Sequence, residues 1–371
     1  MPILFEPWRL GELDLSNRIV IAPMCQYSAD EGSATDWHMI HLGNLALSGA
    51  GLMILEATAV SARGRISPTD LGLYSDDNEA ALQRVLATIR KHSPIALAIQ
   101  LAHAGRKGSS HAPWDGGAQI RLDQPGGWVT EAPSAVPHAE GEDPPEALTH
   151  EGMQRVKNDF VQATERAARL GFDGIEVHGA HGYLLHQFLS PIANKRTDDY
   201  GGSLENRMRF PLEVYDAVRA AFPAHKPVWM RISATDWVPN GWDIEGTLAI
   251  SKILKAKGCA AIHVTTGGVS PLQAIKVGPG YQVPYARRVK WEVEIPTIAV
   301  GLITEPEQAE AIIANNEADA VSLARAMLYD PRWPWHAAAK LGAHVFAPKQ
   351  YWRCQPREFK DLFDGMKFGQ R

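Results

Sequence analysis

The stretch Phe172–Tyr183, FDGIEVHGAHGY, joins a short apolar run to a polar cluster, and it indicates how the chain is built. Its first half is typical of a buried parallel strand, so His178, His181 and Tyr183 stand where that strand ends. Strand ends are where α/β enzymes hold their reacting groups. Two imidazoles can direct N–H groups at one oxygen, and a phenol can exchange a proton beside it. The alternative is that both histidines are hydrogen-bonded packing groups.

Apolar runs of this kind occur eight times in the chain. The runs begin at Ile19, Leu52, Ile95, Phe172, Pro227, Ala260, Ile298 and Asp319. Stretches with helical periodicity separate most of them. Eight alternating strand–helix units predict an α/β fold, a single (β/α)8 TIM barrel. A doubly wound open sheet is the alternative, but no G-x-G-x-x-G turn follows a strand.

Three segments do not fit the repeating unit. Leu10–Arg18 predicts a small N-terminal hairpin. Residues 103–148, rich in Pro, Gly, Trp and His, predict a long insertion after strand three, which is either a functional lid or an idle surface loop. We expect the barrel to occupy residues 1–345 and a C-terminal tail to occupy 346–371, with a helix-like stretch at Phe359–Phe368.

Local signals place two of the helices. Thr149 is a good N-cap for a helix with an apolar face, and Gly171 is its expected end. A second helix is expected between Glu205 and Phe222. Pro211 should kink this second helix or delay its start.

The composition is that of a folded protein without a strongly charged surface. Of 371 residues, 45% are hydrophobic, and 37 basic against 42 acidic residues give a formal charge of −5. Since no block of one sign is present, neither nucleic acid nor a membrane surface is predicted as a partner. Cys25, Cys259 and Cys354 lie far apart, which argues against a disulfide scaffold or a cysteine-bound metal cluster. With no signal-like N-terminus, we expect a cytoplasmic protein.

In a barrel, the residues that follow the strands share one cleft with the His–His–Tyr cluster. They are Pro23, Met24, Cys25, Tyr27, Ala57, Gln100, His103, Arg231, Gly268, Gly301, Ala324 and Arg325. A buried Arg231 needs an anionic or accepting partner, which is either a ligand or one of the acids Glu56 and Glu176. The amide of Gln100 suits the edge of a heterocycle, because it offers a donor and an acceptor.

The last two strand ends suggest a phosphate site. Loops after strands seven and eight of a barrel often bind phosphate through backbone N–H groups and a nearby cation. Gly301 lets the backbone approach such a group, and Arg325 supplies positive charge.

A metal site is the competing interpretation of the cleft. His103, His178, His181 and His263 all follow or end apolar runs and could meet at one rim. They would make the protein a metal-dependent TIM-barrel hydrolase. The other strand ends supply no clear carboxylate or lysine ligands, so we predict no metal site. A third possibility is a ligand carrier without catalytic activity.

Five motifs together resemble the Old Yellow Enzyme family of NADH:flavin oxidoreductases. They are P-M-C-x-Y at Pro23–Tyr27, E-A at Glu56–Ala57, Q-L-x-H-A-G-R-K at Gln100–Lys107, the cluster at His178–Tyr183, and R-T-D-D-Y-G-G-S-L-E-N-R at Arg196–Arg207. The resemblance runs nearly from end to end. Cys25 and Tyr27 make the chain similar to the bacterial thermophilic-like branch that includes xenobiotic reductases. The resemblance implies an FMN-dependent ene-reductase on a (β/α)8 barrel.

The resemblance also implies roles for the cleft residues. Contacts with FMN are implied for Pro23, Met24, Cys25, Ala57, Gln100, His178, Arg231, Gly268, Gly301, Ala324, Arg325 and Arg353. Cys25 would tune the flavin, unless it is a buried structural cysteine. NADPH or NADH would bind transiently and reduce FMN, and an enone or nitro compound would then take its place. His178 and His181 would bind the substrate oxygen. Tyr183 would protonate the α-carbon, and Tyr27 would shape the substrate wall.

The tail is similar to that branch as well. Gln350–Arg353, Q-Y-W-R, resembles a segment that in relatives reaches the active site of a neighbouring subunit, with Arg353 as the reaching residue. The implied assembly is a homodimer or homotetramer. The chain then departs from close relatives by continuing past Cys354. A relative of the dienoyl-CoA reductase type is disfavoured, because its cysteine cluster and additional domain are missing from this sequence.

Overall fold

The computed structural model describes residues 2–366, and its centre is a closed barrel of eight parallel strands. The strands are β1 (Trp8–Leu10), β2 (Leu13–Leu15), β3 (Ile19–Ile21), β4 (Leu52–Ala59), β5 (Ala96–Ala102), β6 (Glu131–Ala132), β7 (Glu146–Ala147), β8 (Gly174–Gly179), β9 (Val228–Ser233), β10 (Ile262–Thr265), β11 (Thr297–Ala299) and β12 (Ala320–Leu323). Around the barrel the order is β3, β4, β5, β8, β9, β10, β11 and β12, with β12 pairing back to β3. The predicted (β/α)8 barrel is confirmed.

Helices cover the outside of the barrel. They are α1 (Asp36–Ala46), α2 (Asp76–His92), α3 (His150–Arg169), α4 (Leu184–Leu189), α5 (Leu204–Ala221), α6 (Ile244–Ala256), α7 (Val283–Val293), α8 (Pro306–Ala314), α9 (Arg325–Tyr329) and α10 (Trp333–Leu341). Both strands and helices present apolar residues to one continuous core. Within residues 2–366, no helix has the length and hydropathy needed to cross a membrane.

Two of the predicted helix boundaries can be checked against the backbone. The Thr149 hydroxyl accepts a hydrogen bond from the Gly152 N–H at 3.1 Å and caps α3, and Gly171 follows the helix with a left-handed φ of +77°. Both signals are confirmed. Helix α5 begins at Leu204 and contains Pro211, so the expectation that this proline delays the start of the helix is wrong.

The N-terminal hairpin closes one end of the barrel. Strands β1 and β2 pair in antiparallel fashion, slightly earlier in the chain than predicted. At the turn between them, a Cβ on Gly11 would lie 3.2 Å from the side chain of Pro227, which directly precedes β9. The hairpin therefore lies at the end where the strands begin, and the other end stays free for a cleft.

The insertion after β5 is fastened over the open end. Arg106 donates hydrogen bonds to the carbonyls of Val136 and Pro137 at 3.2 Å each and to the carbonyl of Val269 at 2.7 Å. These bonds join residues of the insertion to the loop after β10. The insertion is thus anchored at the mouth of the barrel, as a lid or substrate wall would require.

The C-terminal tail packs on α10 and forms no α-helix up to residue 366. Val345 N–H donates to the Leu362 carbonyl at 2.9 Å, and the ring of Phe363 lies 5.0 Å from that of Trp335. The helix predicted over Phe359–Phe368 is wrong for residues 359–366, and residues 367 and 368 lie outside the described residues. The segment is irregular instead, and Leu362 and Phe363 are held by contacts with Val345 and with Trp335 of α10.

Candidate active site

A polar network lies in the interior of the barrel; we call Gln100, Glu176, Trp229 and His263 the barrel floor. Glu176 is fully buried and accepts hydrogen bonds from Gln100 Nε2, Trp229 Nε1 and His263 Nδ1, each at 2.7 Å. Burial raises the pKa of Glu176, but His263, Arg231 and the hydrogen bonds lower it further, to about 2. One of the two N–H donors of the Gln100 amide is committed to this carboxylate, so Oε1 and the second N–H remain for a ligand.

Arg231 lies in the next part of the interior, beside His178 and His263 on the neighbouring strands. It is only 6% exposed, and its Nε is enclosed without a hydrogen-bond partner among residues 2–366. The two candidate acids are engaged elsewhere, because Glu176 pairs with His263 and Glu56 with His38. A buried guanidinium in this state is costly, so the interior here is complementary to a ligand with acceptor atoms.

The wall next to Gln100 is formed by the loop after β3 and a bulge in β4. Glu56 is the extra residue in the pairing of β4 with β5, and its carboxylate accepts the Gln26 N–H at 2.9 Å. Gln26 in turn donates to the Met24 carbonyl at 2.9 Å. Pro23 and Met24 stay partly exposed, whereas Ala57 is buried opposite β5. The bulge therefore places Pro23, Met24 and Ala57, three residues for which contacts with FMN are predicted, in one wall of the interior.

Cys25 and Tyr27 continue this wall. Cys25 is partly exposed, and burial of its sulfur together with the charges of Asp70 and Glu56 raises the pKa of the thiol, so it is not a thiolate. The role of Cys25 beside the flavin stays a prediction. Tyr27 adopts a left-handed φ of +49°, and its ring meets that of Trp114, from the insertion, edge to face at 5.5 Å.

The His–His–Tyr cluster is compact. The ring of His178 lies 5.1 Å from that of His181 and 5.0 Å from that of Tyr183, both in edge-to-face arrangement. Burial, and next the charge of Arg231, lower the pKa of both histidines well below the usual value, so both are neutral. Burial raises the pKa of Tyr183, so the phenol keeps its proton. The cluster thus offers two neutral imidazoles and one proton donor.

The backbone inside this cluster is held in an unusual conformation. His181 and Gly182 both have left-handed φ angles, +57° and +73°. His186 Nδ1 accepts the Gly182 N–H at 2.8 Å, and Gln187 Nε2 donates to the Gly182 carbonyl at 2.7 Å. The other nitrogen of His186 bonds Asp236 at 2.8 Å, with both side chains fully buried. A left-handed non-glycine residue costs about 1–3 kcal/mol, and these side chains offset that cost.

Lys107 joins the cluster to the loop after β10. Its Nζ donates to the carbonyls of His181 at 2.9 Å and Gly268 at 3.1 Å, and it lies 5.0 Å from the centre of the Tyr183 ring. Burial, then the charge of Arg106, lower the pKa of Lys107 to about 8. A Cβ on Gly268 would overlap the His181 backbone. Gly268 therefore supports the backbone of the cluster, and its predicted contact with FMN stays a prediction.

A cavity of about 110 Å³ lies between the loops that follow β10, β11 and β12. Its lining includes Arg231, Thr265, Gly301, Ser322, Ala324 and Arg325. Gly301 has a φ of +120°, and a Cβ there would lie 2.7 Å from Gln282 Nε2. Ser322 Oγ is enclosed without a hydrogen-bond partner in the described chain. Gly301 and Arg325, the two residues predicted for a phosphate, thus share one polar cavity with Ala324 and Arg231.

The histidines of the metal hypothesis do not form a metal site. His103 pairs with Glu131, and His263 with Glu176. Across residues 2–366, no group of three or more His, Cys, Asp and Glu side chains is arranged to hold a metal ion. The structure gives the hydrolase alternative no support.

Arg353 is not part of the cleft of its own subunit. It is exposed in a short 3-10 turn, Lys349–Cys354. Just before this turn, Val345 and Phe346 pack against Gly49, which precedes β4 at the closed end of the barrel. The tail therefore lies away from the cluster within one subunit.

Sequence reasoning missed several groups that hold the cleft together. They are Lys107, Gln187, His186, Asp236, Thr265 and Gln282. Lys107 is the last residue of the motif Gln100–Lys107. Its position four residues after His103, just beyond the end of β5, is the signal that could have identified it as a cleft residue. The others bond to residues on different elements, and no pattern along the chain marks them.

Comparison with known proteins agrees with this geometry. The profile of the NADH:flavin oxidoreductase / NADH oxidase family matches residues 3–343. The chain is 42% identical to an NADPH dehydrogenase of Geobacillus sp. (strain WCH70), over 95% of this chain and 98% of that protein. It is similar in structure to morphinone reductase, with a TM-score of 0.77 and 30% identity over 99% of this chain and 94% of the other. A 2-naphthoyl-CoA reductase matches with a TM-score of 0.82 and 26% identity, over 92% of this chain but 52% of that one.

The fold and the cleft are those of a flavin-dependent reductase. The chain belongs to the NADH:flavin oxidoreductase / NADH oxidase family, which is the Old Yellow Enzyme family that its motifs predicted. It is accordingly an NAD(P)H-dependent flavin oxidoreductase with FMN as cofactor.

The residues of the cleft fit this cofactor. The unpaired guanidinium of Arg231 and the free Oε1 of Gln100 match the acceptors and the N–H of a flavin pyrimidine edge. The unpartnered hydroxyl of Ser322 faces the cavity that continues toward Arg325. A polar cofactor with an anionic end would satisfy all of these groups.

Proposed function

We propose that the protein is an ene-reductase: hydride from NADPH or NADH is delivered to the β-carbon of an α,β-unsaturated carbonyl or nitro compound. The observation that carries the proposal is the cluster of two neutral imidazoles and a protonated phenol, placed next to Arg231 and the flavin-type wall. Bound FMN supplies the transfer of hydride between the two substrates. The side chains of the cluster bind the substrate oxygen and deliver a proton.

In this proposal His178 and His181 bind the substrate oxygen. His178 Nδ1 accepts the Ala180 N–H at 3.3 Å, so the proton of the neutral ring is on Nε2, which can donate to a ligand. A hydrogen bond to the carbonyl or nitro oxygen draws electron density away from the alkene. The β-carbon becomes more electrophilic as negative charge collects on that oxygen.

Tyr183 would protonate the α-carbon. Its raised pKa keeps the phenol protonated at any working pH, as a general acid must be before transfer. When the proton leaves, the oxygen becomes negative. The Lys107 ammonium, 5.0 Å from the ring centre, would stabilise that charge.

The cofactor contacts follow from the wall and the cavity. Backbone and side chains that would line or hold FMN are Pro23, Met24, Cys25, Ala57, Gln100, His178, Arg231, Gly301, Ala324 and Arg325. Gln100 would accept from the pyrimidine N–H through Oε1, and Arg231 would donate to its acceptors and stabilise negative charge there. Gly301 and Arg325 would hold the phosphate. Gly268, which supports the cluster, is proposed as a further contact with FMN.

The substrate wall would be formed by Tyr27 and the insertion. Trp114 lies edge to face on Tyr27 and is itself 67% exposed, so both rings can border a ligand above the cluster. Aromatic walls of this kind accept flat unsaturated molecules. We therefore expect small enones and nitroalkenes to fit better than charged substrates.

We further propose that the protein works as a homodimer or homotetramer in which Arg353 completes the neighbouring subunit's cleft. The exposure of Arg353 and of Tyr351 supports it, since both are available to a second copy. The mass of the full chain in sedimentation should be a multiple of 40.7 kDa, and a chain that ends at Gln350 should show a smaller multiple or weaker turnover. An unchanged mass and turnover would remove this role.

The test of the main proposal separates the two half-reactions. Anaerobic NADPH should bleach the flavin absorption of wild type, and cyclohexenone should restore it. In Tyr183→Phe the bleaching rate should stay within about twofold, whereas the recovery should slow by about 10²- to 10⁴-fold, the usual contribution of a general acid. Equal losses in both half-reactions would refute the role of Tyr183, and bleaching without recovery in wild type would refute alkene reduction.

A further inference from the structure

A chain of buried hydrogen bonds runs from the loop after β10 to His181. Gln282 Oε1 lies 2.7 Å from Thr266 Oγ1 and 3.1 Å from Thr265 Oγ1, and Thr265 Oγ1 lies 3.0 Å from His181 Nε2. Gln282, Thr265 and Thr266 are each at most 6% exposed. The proposed reaction assigns no role to Thr265 or Gln282.

The direction of this chain is set at its far end. Gln282 Nε2 donates to the Val300 carbonyl at 3.3 Å, an atom that can only accept. Its Oε1 therefore points at the two threonine hydroxyls and accepts from both. The reverse orientation of the amide would set two carbonyl oxygens against each other.

The direction of the chain fixes the tautomer of His181. The single hydroxyl proton of Thr265 is donated to Gln282, so Thr265 Oγ1 must accept from His181 Nε2–H. A neutral ring then has no proton on Nδ1. His178 has the same tautomer, but its free nitrogen is the protonated Nε2. The resting cleft thus presents one donor, from His178, and one acceptor, from His181.

An enone or nitro oxygen needs donors from both rings. We propose that Thr265 is a positioning residue that sets whether His181 offers an acceptor or a donor, because its hydroxyl turns from Gln282 to His181 Nε2 when an accepting substrate oxygen binds. This inference rests on the proposed ene-reductase function. It makes Gln282 the group that holds the cleft in its resting state.

The switch conserves charge and hydrogen bonds. One proton leaves His181 Nε2 for solvent, and one is taken up at Nδ1, so the imidazole stays neutral. Thr265 then donates to Nε2, and Gln282 Oε1 keeps the hydrogen bond from Thr266. The backbone of His181 stays in place, since its backbone N–H remains bonded to Ser233 Oγ at 2.9 Å. In the net change, the hydrogen bond from Thr265 to Gln282 is lost, and one from His181 Nδ1–H to the substrate oxygen is gained.

The variant Gln282→Met tests the switch, because it removes the competing acceptor at similar side-chain volume. The readout is the ¹⁵N spectrum of histidine-labelled holoenzyme without substrate, in which Nδ1–H and Nε2–H tautomers have different shifts. The signals of His181 are identified by their loss in His181→Asn. Wild type should show Nε2–H, and in Gln282→Met the ratio of Nδ1–H to Nε2–H should rise about three- to tenfold, the effect of one hydrogen bond.

Kinetics give the second readout. In Gln282→Met, measured with saturating FMN and NADPH, the KM for cyclohexenone should fall by about the same factor. Thr265→Ser keeps the hydroxyl and should keep the wild-type tautomer ratio of His181, whereas adding Thr265→Val to Gln282→Met should abolish the rise in the Nδ1–H tautomer. Gln308→Met is the matched control, because Gln308 bonds only backbone groups, at Thr304 and Leu302.

The possible results separate this inference from the function on which it rests. An Nδ1–H signal in resting wild type, or an unchanged tautomer ratio in Gln282→Met, would overturn the role of Thr265. Absence of enone reduction by wild type would overturn the proposed function. The tautomer measurement uses no substrate, so the first result does not depend on the second.

Discussion

The barrel floor and the interior around Arg231 differ in how completely their polar groups are satisfied. On the floor, three donors surround Glu176 at 2.7 Å. Two residues further along the strands, Arg231 is equally buried, and its Nε has no partner among the described residues. The two regions share the same strands and the same solvent exclusion. They differ because the first is complete within the protein and the second requires a ligand.

This difference separates the structural part of the barrel interior from the part that binds a ligand. A buried carboxylate with three donors is a structural unit, since the chain itself supplies every partner. A buried cation without a hydrogen-bond partner lowers the stability of the folded state, and only a bound ligand can offset this loss. We infer that the boundary between stability and catalysis lies between Glu176 on β8 and Arg231 on β9, which are two residues apart in the register of these strands.

The largest expected effect concerns the floor. Glu176→Gln removes the charge that Gln100, Trp229 and His263 were arranged to meet and places an NH₂ group against one of these donors. The free energy of unfolding should fall by about 3–5 kcal/mol, as for other buried pairs that lose one partner. Urea denaturation of both proteins with saturating FMN measures it.

Glu213→Gln is the control for that experiment. Glu213 also accepts two hydrogen bonds, from Lys157 at 3.3 Å and Tyr200 at 3.1 Å, but its side chain is 33% exposed. Its loss should cost less than about 1 kcal/mol. An equal fall in the free energy of unfolding of the two variants would contradict the claim that the barrel floor is a buried structural unit.

The sequence was sufficient where the causes are local. Thr149 and Gly171 act within one turn of α3, and the repeat of apolar runs predicted the barrel. The cluster of His178 and Tyr183 was found because strand ends of a barrel converge. The family resemblance added the flavin, which periodicity alone could not have named.

The sequence was insufficient where the causes are distant or ambiguous. Gln100 and His263 meet Glu176 across 76 and 87 residues, so no spacing along the chain connects them. Phe359–Phe368 was predicted helical from its own residues, but contacts of Leu362 and Phe363 with the distant Val345 and Trp335 hold residues 359–366 in an irregular conformation. Gly268 follows a strand like Gly301 does, but its close approach to the cluster is visible only in the fold.

The most direct test of this account is the affinity for FMN after Arg231→Met, compared with Arg219→Met. Arg219 is an arginine already satisfied by the chain, donating to the carbonyls of Lys226, Phe222 and Pro223 at 2.6–2.8 Å. Titration of the cofactor-free proteins with FMN should show a dissociation constant raised about 10- to 100-fold in Arg231→Met, the loss of charged hydrogen bonds, and unchanged in Arg219→Met. An unchanged affinity in Arg231→Met would contradict the claim that this unsatisfied cation marks the cofactor site.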